Sequence, residues 1–289
     1  MIFEIYSLYY FQDEQLSAQS QESQIEMLQA TVSFGKHLCE WRHRRRLSQL
    51  ALALRVNVSV RHLGFVELGR AAPSRGLLLR LAEELDIPLR ERNVWLVAAG
   101  FAPVFHETPL HDASIQPLLS AIGSTIEAHK PFPAFAIDRQ WNVVMSNAAL
   151  QELYEGVSAE LLEPPVNVMR LSLRPDGLAP RILNLDDWTD HLLTRLRREV
   201  ELTADPRLCE LLKEAETLHR PSKKVAHSPH TSALAIPLRI QTRLGPLSFF
   251  STVTIFGTPV DVTISEIALE MLYPADHETD LIVRTTSGK

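Results

Sequence analysis

The sequence predicts a multidomain chain of two structural classes in series: an all-α module of five short helices over residues 33–102, then an α+β domain with an antiparallel sheet over residues 103–289. Three observations predict it. From Phe34 to Gly100 apolar residues recur at spacings of three and four between capping residues, the signature of short amphipathic helices. From Leu234 to Phe256 they alternate, the period of a half-buried strand. Charge changes sign along the same divisions. Residues 1–35 hold five acids and no Lys or Arg, residues 36–100 twelve bases against six acids, and residues 101–289 seventeen against twenty-four. The formal charge of −6 therefore conceals a basic module between acidic ones, and a basic module points to a polyanionic partner.

Residues 1–32 form an N-terminal extension in which an aromatic patch (Phe3, Tyr6, Tyr9, Tyr10, Phe11) precedes a Gln/Ser-rich stretch. Two readings of it stand: residues upstream of a natural start at Met27, or an arm that packs on a neighbouring domain or subunit. A first helix is predicted from Ser33 to Arg46, with Phe34, Leu38 and Trp41 inward and Arg42, Arg44, Arg45 and Arg46 at the end that the helix dipole makes negative. Ser48 caps a second helix to Val56, and Ser59 a third to Leu68, stopped by Gly69. Pro73-Ser74 opens a fourth, ending near Asp86, and Leu89 to Ala99 forms a fifth, closed by Gly100.

Beyond Pro103 the spacing predicts a helix over 115–129, a hairpin over 134–146 turning at Asp138-Arg139-Gln140, and a helix capped by Asn147 that ends at Tyr154. Residues 164–219 read as helical, with Leu185, Trp188, Leu192, Leu196 and Val200 on one stripe and Asp205-Pro206 starting a new helix. A loop over 219–230 leads to two antiparallel strands joined at Leu244-Gly245-Pro246. Residues 262–272 fit either period, and strand is the favoured reading.

Composition excludes several classes. At 45% hydrophobic and 22% charged the chain has enough apolar residues for a core. It lacks an eighteen-residue apolar run, and its apolar start carries Glu4 with no base before it, which speaks against a membrane span and a secretory signal. Cys39 and Cys209 stand 170 positions apart, so neither a disulfide framework nor a cysteine zinc site is expected, and the chain reads as cytoplasmic. His219, His227 and His230 cluster without a completing carboxylate or Cys, so no metal is assigned. No phosphate loop, nucleophile elbow or carboxylate pair is present, so the chain is read as a non-enzyme with no catalytic residue and no cofactor.

Chemistry concentrates between Ser48 and Arg75, where the caps and spacings have the form of a helix-turn-helix. At 100° per residue Leu63 and Val66 share one face of the third helix and Arg61, Gly64 and Phe65 the opposite one. An outward Arg can fork onto guanine, and Val60 or Phe65 can meet a thymine methyl. Helix starts with free N–H groups suit phosphates. The DNA-contacting set is therefore Ser48, Gln49, Ser59, Val60, Arg61, His62, Gly64, Phe65, Arg70, Ser74 and Arg75. A single such unit reads few base pairs, so a homodimer on a two-fold symmetric site in double-stranded DNA is expected. The competing readings are a solvated helical bundle acting as a scaffold with a degenerate helix-turn-helix, and a lipid carrier or lipid enzyme.

These residues, with Pro88-Leu89-Arg90-Glu91-Arg92-Asn93, Ala98-Ala99-Gly100-Phe101-Ala102-Pro103, Asn167-Val168-Met169-Arg170, Pro175-Asp176-Gly177-Leu178, Asp187-Trp188, Gly245 to Thr252 and Phe256-Gly257-Thr258-Pro259, resemble the XRE-type helix-turn-helix regulators that carry a C-terminal MmyB-like, PAS-like ligand-binding domain. The resemblance covers about residues 34–280. Asn57 stands where Gly is usual in the turn, Gly64 where Ser is common, and Leu68 where a polar residue is common. The resemblance implies a bacterial, nucleoid-associated transcription regulator and a fatty-acid-like effector. It also implies an ion pair between Arg42 and Glu67, since the similar repressors pair an Arg and a Glu at these positions. For the effector site the expected residues are Arg170 and His191 at the head group and Trp188, Phe249, Phe250 and Phe256 along an apolar wall. Arg170 is chosen because its neighbours are apolar and a buried guanidinium needs a charged partner, with an internal partner such as Asp187 as the alternative.

Overall fold

A computed structural model describes residues 34–218, 235–257 and 259–287; the N-terminal extension and the predicted loop with its three histidines lie outside the described residues. The chain divides into two compact units. The first takes in described residues 34–109, 201–203 and 259–265, and the second holds the remainder.

Five helices build most of the first unit: α1 Phe34–Arg44, α2 Gln49–Arg55, α3 Val60–Glu67, α4 Arg75–Glu84 and α5 Leu89–Ala98. Each predicted helix is found, shorter than predicted by one to three residues, as fraying ends usually are. The three serine caps act as expected. Ser48, Ser59 and Ser74 each accept, through Oγ, the backbone N–H three residues on, at 3.1, 3.1 and 3.2 Å. Asn57 takes φ +55°, so the turn reaches the left-handed region without glycine. Leu38, Leu52, Leu63, Val66, Leu78, Leu81 and Trp95 fill the core. One glycine is indispensable: a Cβ on Gly35 would stand 2.4 Å from the Glu67 carbonyl oxygen and 2.5 Å from that of Val66, so only glycine lets α1 lie against the end of α3.

The second unit opens with α6 Gln116–Ala128, then the hairpin of β1 Ala134–Ile137 and β2 Val143–Ser146, and α7 Ala148–Glu152. Asn147 is fully buried and spends its side chain four ways, donating to Ile126 O and Phe132 O while accepting from Ala134 N and Leu150 N. The stretch read as helical over 164–219 is interrupted. It contains α9 Val168–Leu173, a 3-10 turn Ala179–Arg181, α10 Leu185–Thr203 and α11 Pro206–Leu218, preceded by the short α8 Ala159–Leu162. Pro164, Pro165, Pro175 and Pro180 lack the N–H that a continuous helix needs. Gly177 passes so close to the Leu171 carbonyl that a Cβ would lie 2.3 Å from it.

The sheet is completed by β3 Leu238–Thr242, β4 Gly245–Ile255 and β5 Ala268–Pro274, all pairs antiparallel, in the order β2-β1-β5-β4-β3. Residues 262–272 correct the favoured strand reading in part: Val262–Ser265 form a helical turn, α12, because Asp261 accepts the Ile264 N–H through its side chain and the Ser265 N–H through its carbonyl. Of this stretch only residues 268–272 belong to β5. A terminal helix, α13 His277–Ser287, was not anticipated; Thr279 and Val283 are buried on it. Phe135 and Ile137 from β1, Leu238 and Ile240 from β3, Leu247 and Phe249 from β4 and Leu272 from β5 make one apolar face against α9, α10 and α11. The protein is thus multidomain, with a helical unit and an α+β unit built on an antiparallel five-stranded sheet.

Candidate DNA interface and ligand cavity

In the first unit α3 buries Leu63 and Val66, and Arg61 stands exposed on its outer side. The Arg61 guanidinium lies 5.3 Å from the Phe65 ring centroid, a cation–π contact that orients it along the helix wall. Ser48, Ser59, Val60, Arg70, Ser74 and Arg75 are also exposed, and Gln49, His62, Gly64 and Phe65 are half-buried. Each cap serine accepts one backbone hydrogen bond and keeps its hydroxyl hydrogen for an outside acceptor. A Cβ on Gly64 would meet only the Gln49 amide, at 3.7 Å, so packing inside the protein does not require this glycine.

The expected Arg42–Glu67 pair is present and buried. Arg42 Nε donates to Glu67 Oε1 at 2.6 Å and Nη2 to Oε2 at 3.0 Å, a bidentate fork, while Nη1 donates to Leu47 O. The hydrogen bond to Glu67 raises the Arg42 pKa. Gln49 joins the network by donating from Nε2 to Glu67 Oε2 at 2.7 Å, so part of the amide assigned to phosphate is committed inward. Two arginines of the basic cluster leave the surface inventory. Arg42 is buried, and Arg45 donates to Leu85 O and Asp86 O, closing carbonyls at the end of α4. Arginine count overestimated the free positive face, because composition does not show which guanidinium groups are internal partners.

The second unit encloses a cavity of about 60 Å³ beneath the apolar sheet face. Phe135, Val143, Leu150, Leu153, Val168, Leu171, Leu178, Leu192, Leu238 and Leu272 form its walls, and Tyr154, Ser172, Trp188, His191, Arg195, Ser251 and Glu270 bring polar atoms. That is above the roughly 10–15 Å³ a cavity needs to hold a water. Trp188 and His191 were expected there, and their rings stack at 5.3 Å. The Trp188 Nε1–H is buried without a hydrogen-bond partner among the described residues.

Four expected ligand residues lie elsewhere. Arg170 is exposed, and its bidentate pair is Glu214, at 2.8–3.1 Å, so neither the buried anchor nor the Asp187 pair is formed. Asn167 caps α9, and the periodicity of that helix turns Met169 and Leu171 inward and Arg170 outward. Phe250 is on the exposed face of β4, Phe256 follows the strand end, and Phe249 is core, lining a separate cavity of about 30 Å³ with Leu247 and Val283.

Sequence reading missed the polar cluster that replaces Arg170. Arg195 Nη1 donates to Glu270 Oε1 at 2.6 Å, and its Nε donates to Glu199 Oε1 at 3.2 Å. Its guanidinium sits 4.4 Å from the Trp141 ring centroid, and Trp141 Nε1 donates to Glu199 Oε2 at 2.6 Å. Trp141 takes φ +67°, a strained backbone for a bulky residue, held where Asp138 accepts from the Gln140 and Asn142 N–H groups. Burial, helped by Arg195, pulls the His191 pKa below its ordinary value against the opposing effect of Glu270. A signal existed: His191, Arg195 and Glu199 recur every four residues beside the apolar stripe of α10, and Glu270 occupies an inward position of β5.

Burial pushes Glu199 and Asp138 above the ordinary carboxylate range, with Arg195 and the Trp141 bond opposing for Glu199 and backbone hydrogen bonds opposing for Asp138. A carboxyl whose folded pKa exceeds its unfolded one makes the folded state bind more protons between the two values, so stability is lost as pH rises through that window. Unfolding free energy is therefore expected to fall between mildly acidic and neutral pH, and Glu199→Gln to flatten that slope. Denaturant titrations across pH check it; an unchanged slope in the variant would remove Glu199 as its source.

The family model for the MmyB-like transcription regulator ligand binding domain matches residues 120–285, and a helix-turn-helix model matches residues 40–92. Multiprotein-bridging factor 1 of Candida albicans (strain SC5314 / ATCC MYA-2876) is 36% identical over 63 residues, 22% of this chain and 42% of that protein, so the match spans under half the length of that relative. A solved structure titled "Structure of an RNA-binding Light-Oxygen-Voltage Receptor" aligns with 96% of this chain and 69% of that one at 15% identity and a TM-score of 0.24, a likeness that bears on neither fold nor function. With the matched region holding both the cavity and the five-stranded sheet, the chain belongs to the MmyB-like transcription regulator ligand binding domain family and carries a helix-turn-helix ahead of that domain.

Proposed function

We propose that the protein is a regulator whose helix-turn-helix binds duplex DNA as a homodimer on a two-fold site, and whose affinity for that site changes when an apolar, fatty-acid-like effector enters the cavity of the second unit. One observation carries the effector half: a cavity with apolar walls that is also lined by Trp188, whose buried N–H lacks a partner among the described residues, and by Arg195 and His191. In this conformation the cavity takes a short acyl segment, and a longer chain enters only as the walls part. An effector changes DNA affinity to the extent that it binds one arrangement of the DNA-binding modules better than another. No catalytic step is assigned.

Binding is expected to weaken steeply as salt rises, because phosphate neutralisation supplies much of the affinity. Arg61→Ala is expected to cost about 1–3 kcal/mol on the operator and to relax base choice, while Gln49→Ala weakens all sequences alike. Equal losses on operator and random duplex for the Arg61 variant would remove its base-reading role. For the effector, molecules that co-purify are to be identified by mass spectrometry, and operator titrations compared for stripped and reloaded protein. Identical operator affinities would make any bound molecule a structural one.

A further inference from the structure

The wall that α3 turns outward is poor in hydrogen-bonding groups. Its eight residues, Val60 to Glu67, include no side-chain amide or hydroxyl, and Glu67 is committed to Arg42. Gln49, whose amide lies beside Gly64, donates from Nε2 to Glu67, so the amide that could recognise an adenine is already engaged inside the protein. Hydrogen-bonded reading of base edges from this helix therefore falls to Arg61 and His62.

Apolar groups stand beside Arg61 instead. Val60 is exposed, and the half-buried Phe65 holds the Arg61 guanidinium 5.3 Å from its ring centroid. A guanidinium beside a ring keeps its N–H donors for a base. Gly64 follows Val60 by one helical turn, so no side chain covers Val60 from that position. In the major groove the apolar group that a base offers is the C5 methyl of thymine. The same methyl is all that distinguishes 5-methylcytosine from cytosine. Val60 adjoins Arg61 in the chain and Phe65 lies one turn further along the same wall, so both face base pairs next to the one that Arg61 contacts.

Resting on the DNA-binding reading above, we propose that α3 reads a guanine together with the C5 methyl of an adjacent pyrimidine. Arg61 forks onto the guanine, and Val60 and Phe65 close around the methyl. These two side chains touch the methyl and not the hydrogen-bonding edge of the pyrimidine, so 5-methylcytosine serves in place of thymine. Methylation of cytosine at that position of the operator therefore strengthens binding.

The test begins with selection of bound duplexes from a random double-stranded pool by the full-length protein, followed by fluorescence anisotropy titrations of the selected duplex. A neighbouring guanine and thymine are expected in each half-site. Replacing that thymine by deoxyuridine removes only the methyl and is expected to weaken binding about fourfold, the worth of one buried methyl-sized group. With cytosine placed there instead, its 5-methyl form is expected to bind about fourfold tighter than cytosine itself. Equal affinities in either comparison, or a pool that binds without enriching such a pair, overturn the inference while leaving the DNA-binding reading intact. Failure to bind any duplex overturns that reading and the inference with it. Val60→Ala, at an exposed position, is expected to bring the ratio of thymine to deoxyuridine affinity toward one without changing the salt dependence; an unchanged ratio overturns the role of Val60. Phe65→Ala is expected to lower the same ratio, and an unchanged ratio in folded protein overturns the role of Phe65. Should that variant fail to fold, Val60→Ala and the two base comparisons on the native protein decide.

Discussion

Replacing Glu67 by alanine is expected to destabilise the protein by about 3–5 kcal/mol, the range for removing one partner of a buried ion pair. The loss exceeds the worth of the contact itself, because the substitution strands Arg42. Both side chains are nearly inaccessible, 7% exposed for Arg42 and 4% for Glu67, so water cannot replace the carboxylate. Gln49 loses its acceptor in the same step. Since Glu67 closes α3, the helix that presents Arg61, amide exchange in α3 should accelerate before global unfolding. Glu67→Gln keeps an acceptor and should cost less. Denaturant unfolding of the intact protein checks the first figure, and a loss below about 1 kcal/mol, the value of an exposed pair, would mean that solvent reaches the site.

In the second unit the comparable change is Arg195→Met, also expected to cost about 3–5 kcal/mol. Glu270 is 5% exposed and would lose its 2.6 Å partner, while Glu199 would keep only Trp141 among the bonds described above. The cation–π contact with Trp141 goes as well. Without the guanidinium Glu199, which burial already pushes up and Arg195 holds down, becomes harder still to ionise in the folded state. The cost should therefore be larger at neutral pH than near pH 5, the sign expected when a folded-state carboxyl pKa is raised. Adding Glu270→Leu should recover much of the loss, since replacing both partners of a buried pair by apolar groups is often neutral. At about 2–4 °C per kcal/mol for a unit of this size, thermal scans resolve these differences. A double variant no better than the single one would show that the cost comes from packing around Met rather than from stranded charge.

Local chemistry determined most of the first unit. Serine caps, apolar spacing and Asn57 at the turn placed all five helices within a few residues, because each signal acts within one helical turn. The Arg42–Glu67 pair was legible for a different reason, a resemblance to repressors that hold the same two residue types at those positions. Helical periodicity also determined which side of α3 faces outward, and Arg61 is exposed there. The effector site was not legible in this way. Arg170 looked buried in sequence because its neighbours are apolar, yet in its short helix Met169 and Leu171 turn inward and leave Arg170 outward. Arg195 and Glu199 come from one helix and Glu270 from a strand, 75 positions apart at the ends of the Arg195–Glu270 contact, and only the packing of that helix against the sheet brings them together. Whether a charge is a free surface group or an internal partner depends on what tertiary packing sets opposite it: Arg45 on carbonyls of α4, Arg170 on Glu214, Arg195 on two acids at a cavity. The sequence by itself determined the helices of the first unit and their inward faces, because those follow from caps and periodicity. Tertiary structure alone decided where charge is neutralised, because that depends on partners distant in the chain.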